Sequence, residues 1–297
     1  MSESIQTPVM AFAGKGGVGK TTCAAATALH FASLGQKTLV ISTDATPSLS
    51  HIFQAAPEEG PAGVADHLFF LEIGTPQAKQ MWESKFGRDV YRVFSSFVEI
   101  DYPEYVDFMA SVLPGLAEEF MVDYIRELSC GGGWEAIVWD TAPLGQTIAL
   151  LQTPALLTHH LRLAPRIYAR IKAGEGTRET ILDIIKRWEE LSADDITFLR
   201  NGVEFNIVAI PEALAVNQLD GILGDLDKYA LNVRRLIINN VIETSGSPFL
   251  QQKADQQQIY LQHISDKYSR FRILQLPLFP HEIKGLETLS KIADMLY

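Results

Sequence analysis

Residues 9–22 read VMAFAGKGGVGKTT, and the fold is decided there. Five apolar residues, 9–13, predict a buried strand. They run into Gly14-Lys15-Gly16-Gly17-Val18-Gly19-Lys20-Thr21, which fits G-x-x-x-x-G-K-[ST], and residues 21–33 then continue as an alanine-rich helix. A strand, a glycine loop and a helix in that order are the setting this motif needs to hold phosphate. The glycines let successive backbone N–H groups turn inward, and the helix N-terminus adds its positive end. Gly14, Gly16, Gly17, Val18, Gly19 and Thr22 would form the cradle around a nucleotide's phosphates. Lys20 would reach the β- and γ-phosphates, and the Thr21 hydroxyl would bind Mg²⁺. Lys15 is a second long cation in the same loop. It shares those phosphates comfortably with Lys20 only by pointing elsewhere.

Outward from the loop, apolar runs recur at 38–42 (TLVIS), 68–73, 136–139 (AIVW), 206–210 (NIVAI) and 236–238, mostly with helical segments between them. Continuous β-branched runs alternating with helices indicate an α/β fold, a mostly parallel, doubly wound sheet with helices on both faces. The chain reads as one P-loop domain, residues 1–297, with helical insertions at about 77–128 and 150–201 that form a helical subdomain. The first insertion is aromatic, with ten of the chain's Trp, Tyr and Phe residues. The second carries Arg162, Arg166, Arg170 and Lys172 near its start.

Two strand ends complete a nucleotide site. After TLVIS come Thr43 and Asp44, and a carboxylate at that edge would orient an attacking water. After AIVW comes Asp140, which would hold Mg²⁺ through the ion's water shell. Either aspartate read by itself is also a helix cap. Gly145, downstream, would let its segment move when phosphate leaves.

Composition narrows the function. Charged residues make up 21% and apolar residues 47%, the profile of a soluble globular protein. A formal net charge of −11 argues against nucleic acid as a partner. Cys23 and Cys130 are the two cysteines, which suits a reducing, cytoplasmic setting. The polar start of the chain predicts no signal peptide, and no apolar run approaches the roughly 20 residues of a membrane span.

The KGGVGKTT loop resembles the deviant P-loop of the MinD, ParA, NifH and ArsA superfamily, in which the extra lysine reaches the partner subunit's nucleotide. Further blocks are closer to one branch. IVWDTAPLGQTIALLQTP at 137–154 and STDATPSLSHIF at 42–53 are similar to segments of the ArsA and tail-anchored-protein targeting ATPases. So are LPGL at 113–116, IPEALA at 210–215, IINN at 237–240 and PLFP at 277–280, which together span the chain. The resemblance implies a homodimeric, Mg²⁺-dependent ATPase that uses ATP and ADP. It implies catalytic roles for Asp44, Lys15 and Lys20, nucleotide contacts for Glu212, Asn239 and Pro280, and Mg²⁺ binding by Thr21 and Asp140. It also implies a hydrophobic helical client on the helical subdomain and a membrane receptor that takes delivery of it.

The chain departs from that family at residues 45–47, where Ala-Thr-Pro replaces Pro-Ala-His, and at Gln146 and Ala149, which replace His and Arg. The zinc-binding Cys-x-x-Cys of the targeting factors has no counterpart in residues 245–258. No zinc clamp is therefore expected, and an iron–sulfur cluster finds no suitable cysteines. A metalloid pump needs grouped soft thiolates, which two separated cysteines do not supply. Met81, Met109 and Met121 fall within the aromatic insertion. They fit either a groove for varied apolar helices or ordinary core packing. A ParA- or MinD-like nucleotide-dependent scaffold is the other functional class.

Overall fold

In the computed structural model the described residues are 6–44, 48–87, 91, 95, 101–105, 116–142, 175–243 and 247–297. They form two compact units. The first comprises Met1–Ile73, Leu128–Leu144 and Leu199–Tyr297, and the second Gly74–Glu127 and Gly145–Phe198.

The first unit is built on an eight-stranded sheet. Its strands are β1 (Val9–Gly14), β2 (Thr38–Ser42), β3 (Ala62–Ala65), β4 (Leu68–Glu72), β5 (Ala136–Asp140), β6 (Val203–Ala209), β7 (Asn232–Val241) and β8 (Arg272–Pro277). Their order is β3-β4-β2-β5-β1-β6-β7-β8. All neighbours pair parallel except β3, which runs antiparallel to β4 along the edge. Every residue of β1, β2 and β5 is buried, as central strands covered on both faces require. The helices of this unit are α1 (Lys20–Ser33), α2 (Leu49–Phe53), α6 (Ala213–Lys228), α7 (Pro248–Lys267) and α8 (Gly285–Leu296). In sequence order α3 (Thr75–Trp82), α4 (Leu116–Cys130) and α5 (Glu175–Asn201) lie between α2 and α6.

Helix α1 owes its position to its composition. Cys23, Ala24, Ala25, Ala26 and Ala28 have no exposed surface, and these small side chains let the helix lie close to the sheet. Leu289, Ile292, Ala293 and Leu296 of α8 join the same apolar cluster. Burial pushes the Cys23 thiol up to about 12, outweighing the opposing pull of the Arg235 charge, so it behaves as an inert core residue. Cys130 is exposed.

In the middle of the sheet, level with Asn206 of β6 and Phe12 of β1, Arg235 of β7 is 3% exposed. Its Nε donates to Asn206 Oδ1 at 2.7 Å, Nη1 to the Leu296 carbonyl at 2.9 Å, and Nη2 to the Tyr297 hydroxyl at 2.8 Å. The guanidinium also lies 4.7 Å from the centre of the Tyr297 ring. Asn206 in turn donates to the Ala11 carbonyl, so one side chain ties β7, β6, β1 and the end of α8 together. Arg235→Ala leaves Asn206 and two further acceptors without their donor. Chemical denaturation is expected to show a loss of about 2–4 kcal/mol. A loss within 0.5 kcal/mol, roughly the scale of a surface change, would contradict this role.

The second unit is helical in its described parts. Asp123, 1% exposed, receives Arg126 Nη2 at 2.5 Å and the Lys85 ammonium. Arg126 Nε donates to Asp195 Oδ1 at 2.7 Å, and Lys85 also pairs with Glu127 at 2.7 Å. Desolvation by partial burial works against the charge on Lys85, but these carboxylates outweigh it and hold its pKa above the usual lysine range. Tyr105, Phe120, Met121 and Trp188 are buried within this unit. Phe120 and Trp188 lie 6.5 Å apart between ring centres, and Tyr91 lies 5.1 Å from Tyr102 and 5.4 Å from Tyr105. Within the aromatic insertion Tyr105, Phe120 and Met121 therefore pack as core, Met81, Tyr91, Tyr102 and Tyr124 are half-buried, and Met109 lies outside the described residues. Among the described residues no helix is long and apolar enough to cross a membrane.

Beyond the expected strands, the sheet contains β3 and β8. The helix after the glycine loop begins at Lys20, one residue before the position read from sequence.

Candidate nucleotide and active site

Strand β1 ends at Gly14, in the middle of the sheet between β5 and β6. That places the loop at the C-terminal edge of the strands, where open α/β sheets bind ligands. Three glycines there have positive φ: Gly14 at 155°, Gly17 at 77° and Gly19 at 99°. The requirement is steric at two of them. A Cβ on Gly14 would lie 2.3 Å from the Val208 carbonyl oxygen, and one on Gly19 would lie 2.3 Å from Asn239 Nδ2. Only glycine fits a loop whose backbone comes this close to β6 and to the end of β7.

The two lysines of the loop separate. Lys20 is 5% exposed, and its ammonium crosses the loop to donate to the Lys15 carbonyl at 3.1 Å. The Lys15 side chain is exposed on the rim. One cation thus faces the cradle, and the other is available to a body outside it.

Two aspartates and a serine meet behind the loop. Asp140 at the end of β5 has no exposed surface, and its Oδ1 has no hydrogen-bond partner. Its Oδ2 accepts the Ser42 hydroxyl at 3.1 Å, and Ser42 Oγ also accepts the Asp44 backbone N–H at 3.3 Å. Burial pushes the Asp140 carboxyl up to about 6, against the opposing pull of the Thr21 hydroxyl and the Lys20 ammonium. A buried carboxylate oxygen without a donor, near the Thr21 hydroxyl, is a fit for the hydration shell of a hard divalent cation. Thr21 Oγ1 lies 3.4 Å from Ser48 Oγ, which adds a second hydroxyl at that place.

Thr43 joins the two strand ends. Its hydroxyl accepts Trp139 Nε1–H at 3.0 Å and Ala142 N–H at 3.3 Å, and its own N–H donates to the Asp140 carbonyl at 3.1 Å. Thr141 is held by the Phe12 carbonyl on the next strand. The segment that carries Asp44 and the segment that follows Asp140 are therefore cross-linked immediately beside the loop.

Beyond the phosphate loop a cleft of about 440 Å³ opens, lined by Gly17, Gly19, Thr22, Asn239, Leu278 and Phe279, among others. Asn239 Nδ2 donates to the Val18 carbonyl at 2.9 Å, and this leaves its carbonyl oxygen to accept a hydrogen bond. Leu278, Phe279 and Ile283 supply apolar wall, and Pro280 sits exposed between Phe279 and His281. Across the mouth His51 Nε2 lies 3.3 Å from Glu282 Oε1. Glu212 is placed elsewhere. It precedes α6 and lines a separate cavity of about 250 Å³ with Lys253, Gln257 and Tyr260.

The structure thus gathers Gly14–Thr22, Asp44, Asp140 and Asn239 around one loop and leaves Glu212 outside that cleft. Ser42, Ser48, Thr43, Leu278 and Phe279 belong to the same constellation. The hydroxyls had a readable signal, since all three lie within four residues of Asp44 in sequence; the apolar pair had none beyond adjacency to Pro280. Residues 45–47, Pro143, Gly145, Gln146 and Ala149 lie outside the described residues.

Comparison with known proteins agrees with this geometry. The family model described as anion-transporting ATPase matches residues 7–297. The chain is 30% identical over 302 residues to ATPase GET3A of Arabidopsis thaliana, covering 93% of this chain and 80% of that one. It is 27% identical over 308 residues to a putative arsenical pump-driving ATPase of Chlorobaculum tepidum, covering 97% and 75%. A second such protein, from Aquifex aeolicus, is 26% identical and is covered over 98% of its length. A phosphate loop with one inward lysine, a buried strand-end aspartate and a match along almost the whole chain agree, and the protein is a member of the ArsA family of ATPases.

Proposed function

We propose that this ATPase works as a nucleotide-switched homodimer that captures and releases a hydrophobic helical client. The observation that carries the dimer is the separation of the two loop lysines, Lys20 inward and Lys15 exposed. An exposed cation on the rim of a phosphate loop is placed to meet the triphosphate of an apposed subunit, where it would spread developing charge.

The chemistry assigned to the chain's own groups is as follows. The loop amides and Lys20 bind the β- and γ-phosphates and stabilise the charge that grows on them. Asp44 orients the attacking water. Thr21 and Asp140, the latter through water, would hold Mg²⁺, which neutralises phosphate charge when bound. Asn239 contacts the base.

Chain connectivity supports the client reading. The chain enters the second unit at Gly74, just past β4, and again at Gly145, five residues after Asp140. A displacement of the segment after Asp140 on phosphate release would therefore be passed directly along the backbone into the helical unit. We assign that unit the role of client-binding subdomain. The relatives named as arsenical pump-driving ATPases offer the second reading, an energy-supplying subunit for an anion pump. A soft-metalloid site in this chain would have to use Cys23, which is buried with its thiol held at about 12, and the single exposed thiol of Cys130.

Asp44→Asn protein should bind ATP, fail to hydrolyse it and retain a model transmembrane segment in pull-downs. Retention should exceed that of the ADP-bound protein by about tenfold, the scale of a coupling free energy between two sites. ATP binding with no retention of any apolar helix would overturn the client reading and leave the ATPase intact.

A further inference from the structure

Strand β7 ends in a bend that the cleft depends on. Asn240 adopts φ 60°, the left-handed region that a non-glycine residue occupies at a cost. The bend places Asn239 against the Val18 carbonyl of the phosphate loop, and both Asn239 and Asn240 line the cleft. From the same bend the Val241 carbonyl accepts the Leu278 N–H at 2.8 Å, which fastens the apolar wall of Leu278 and Phe279. Such a conformation persists only where its surroundings hold it.

One side chain from α7 does so. Gln257 Oε1 accepts the Ile242 N–H at 2.8 Å, and Gln257 Nε2 donates to the Asn240 carbonyl at 3.0 Å. The amide brackets the bend as a paired strand would, using one donor and one acceptor in the orientation that only a carboxamide supplies. Its remaining surface faces the cavity shared with Pro211, Glu212, Lys253 and Tyr260. We infer that Gln257 is a positioning residue for the nucleotide base: it fixes the Asn240 bend and, through it, the two walls between which the base sits. The inference rests on the reading that the base occupies the cleft at Asn239.

Three ligands and three proteins test it. ATP, GTP and inorganic tripolyphosphate are titrated against wild type, Asn239→Ala and Gln257→Glu, the last being isosteric but presenting an oxygen to the Asn240 carbonyl. Gln257→Met, which removes both hydrogen bonds without adding charge, is the second variant should the glutamate protein fail to fold. We expect ATP affinity to fall about three- to tenfold in the Gln257 variants, the scale of one or two lost hydrogen bonds. The preference for ATP over GTP should shrink in parallel, and tripolyphosphate affinity should stay unchanged because the phosphate loop is untouched. An equal loss for ATP and tripolyphosphate, or no loss of ATP affinity, would overturn the inference. If Asn239→Ala also leaves ATP affinity unchanged, the reading of the base site falls with it. If Asn239→Ala weakens ATP while the Gln257 variants do not, only the role of Gln257 falls.

Discussion

Lys15→Ala is expected to lower kcat by about 10³-fold, the range of a residue that contacts transferring phosphate from outside its own loop. ATP affinity should change by no more than about threefold, because the side chain is exposed and makes no part of its own cradle. The reason lies in the local geometry. The Lys15 backbone already serves the loop by accepting the Lys20 ammonium at 3.1 Å, and truncating the side chain leaves that carbonyl in place. Steady-state turnover and equilibrium binding of a fluorescent ATP analogue separate the two effects. An equal loss in both would mean that Lys15 binds the phosphates of its own subunit.

Lys20→Ala is expected to behave differently. Lys20 is 5% exposed and directed across the loop, so its removal takes the positive charge out of the cradle itself. Nucleotide affinity should fall about 10- to 100-fold, as for loss of charge-assisted hydrogen bonds. Turnover should drop by on the order of 10³-fold even at saturating ATP, if the same ammonium stabilises charge developing on the γ-phosphate as proposed. Folding should be retained, because the Lys20 ammonium is bonded to a loop carbonyl rather than to the sheet. Isothermal titration for affinity and phosphate release for turnover read the two effects; a variant with unchanged affinity would place Lys20 outside the cradle.

Much of this site is legible in the sequence because its chemistry is local. The strand, loop and helix of residues 9–33 are contiguous, and the glycines are demanded by backbone contacts that the motif encodes. Asp44 and Asp140 were legible for a related reason, since each follows a buried β-branched run that ends at the same edge of the sheet. The doubly wound sheet followed from the periodicity of those runs. The sequence hid β3, because AGVA contains glycine and pairs antiparallel at an edge, without the long apolar run of a central strand. Strand β8 was hidden because RILQLP opens on Arg272, is interrupted by Gln275 and ends in proline, so it lacks the continuous apolar run of a central strand. Gln257 stands among three consecutive glutamines on α7, and nothing in their spacing marks the one whose amide meets the bend at Asn240. The cleft wall of Leu278 and Phe279 depends on a long-range pairing between Leu278 and Val241 that no short motif records.

The resemblance of the 42–53 and 137–154 blocks located the family, and the model match over residues 7–297 agrees with it. The aromatic insertion shows why composition did not decide between groove and core. Tyr105, Phe120 and Met121 are buried in their own unit, so these residues serve packing before any partner. The client reading stands on connectivity, the second unit resuming at Gly145, five residues after Asp140 in sequence, and not on aromatic content.

The most direct test of the central claim is a mixed dimer of Lys15→Ala and Asp44→Asn protomers carrying different tags, purified through both. Each parent homodimer should be nearly inactive, one for want of the lysine and the other for want of the water-orienting carboxylate. If Lys15 serves the partner's nucleotide, the mixed dimer contains one site with an intact Asp44 and an intact Lys15 from across the interface. Its turnover should then recover to about half that of the wild-type dimer, one working site of two in a symmetric pair. If Lys15 acts within its own subunit, both sites of the mixed dimer stay defective and its turnover equals that of the parents, which would contradict the account.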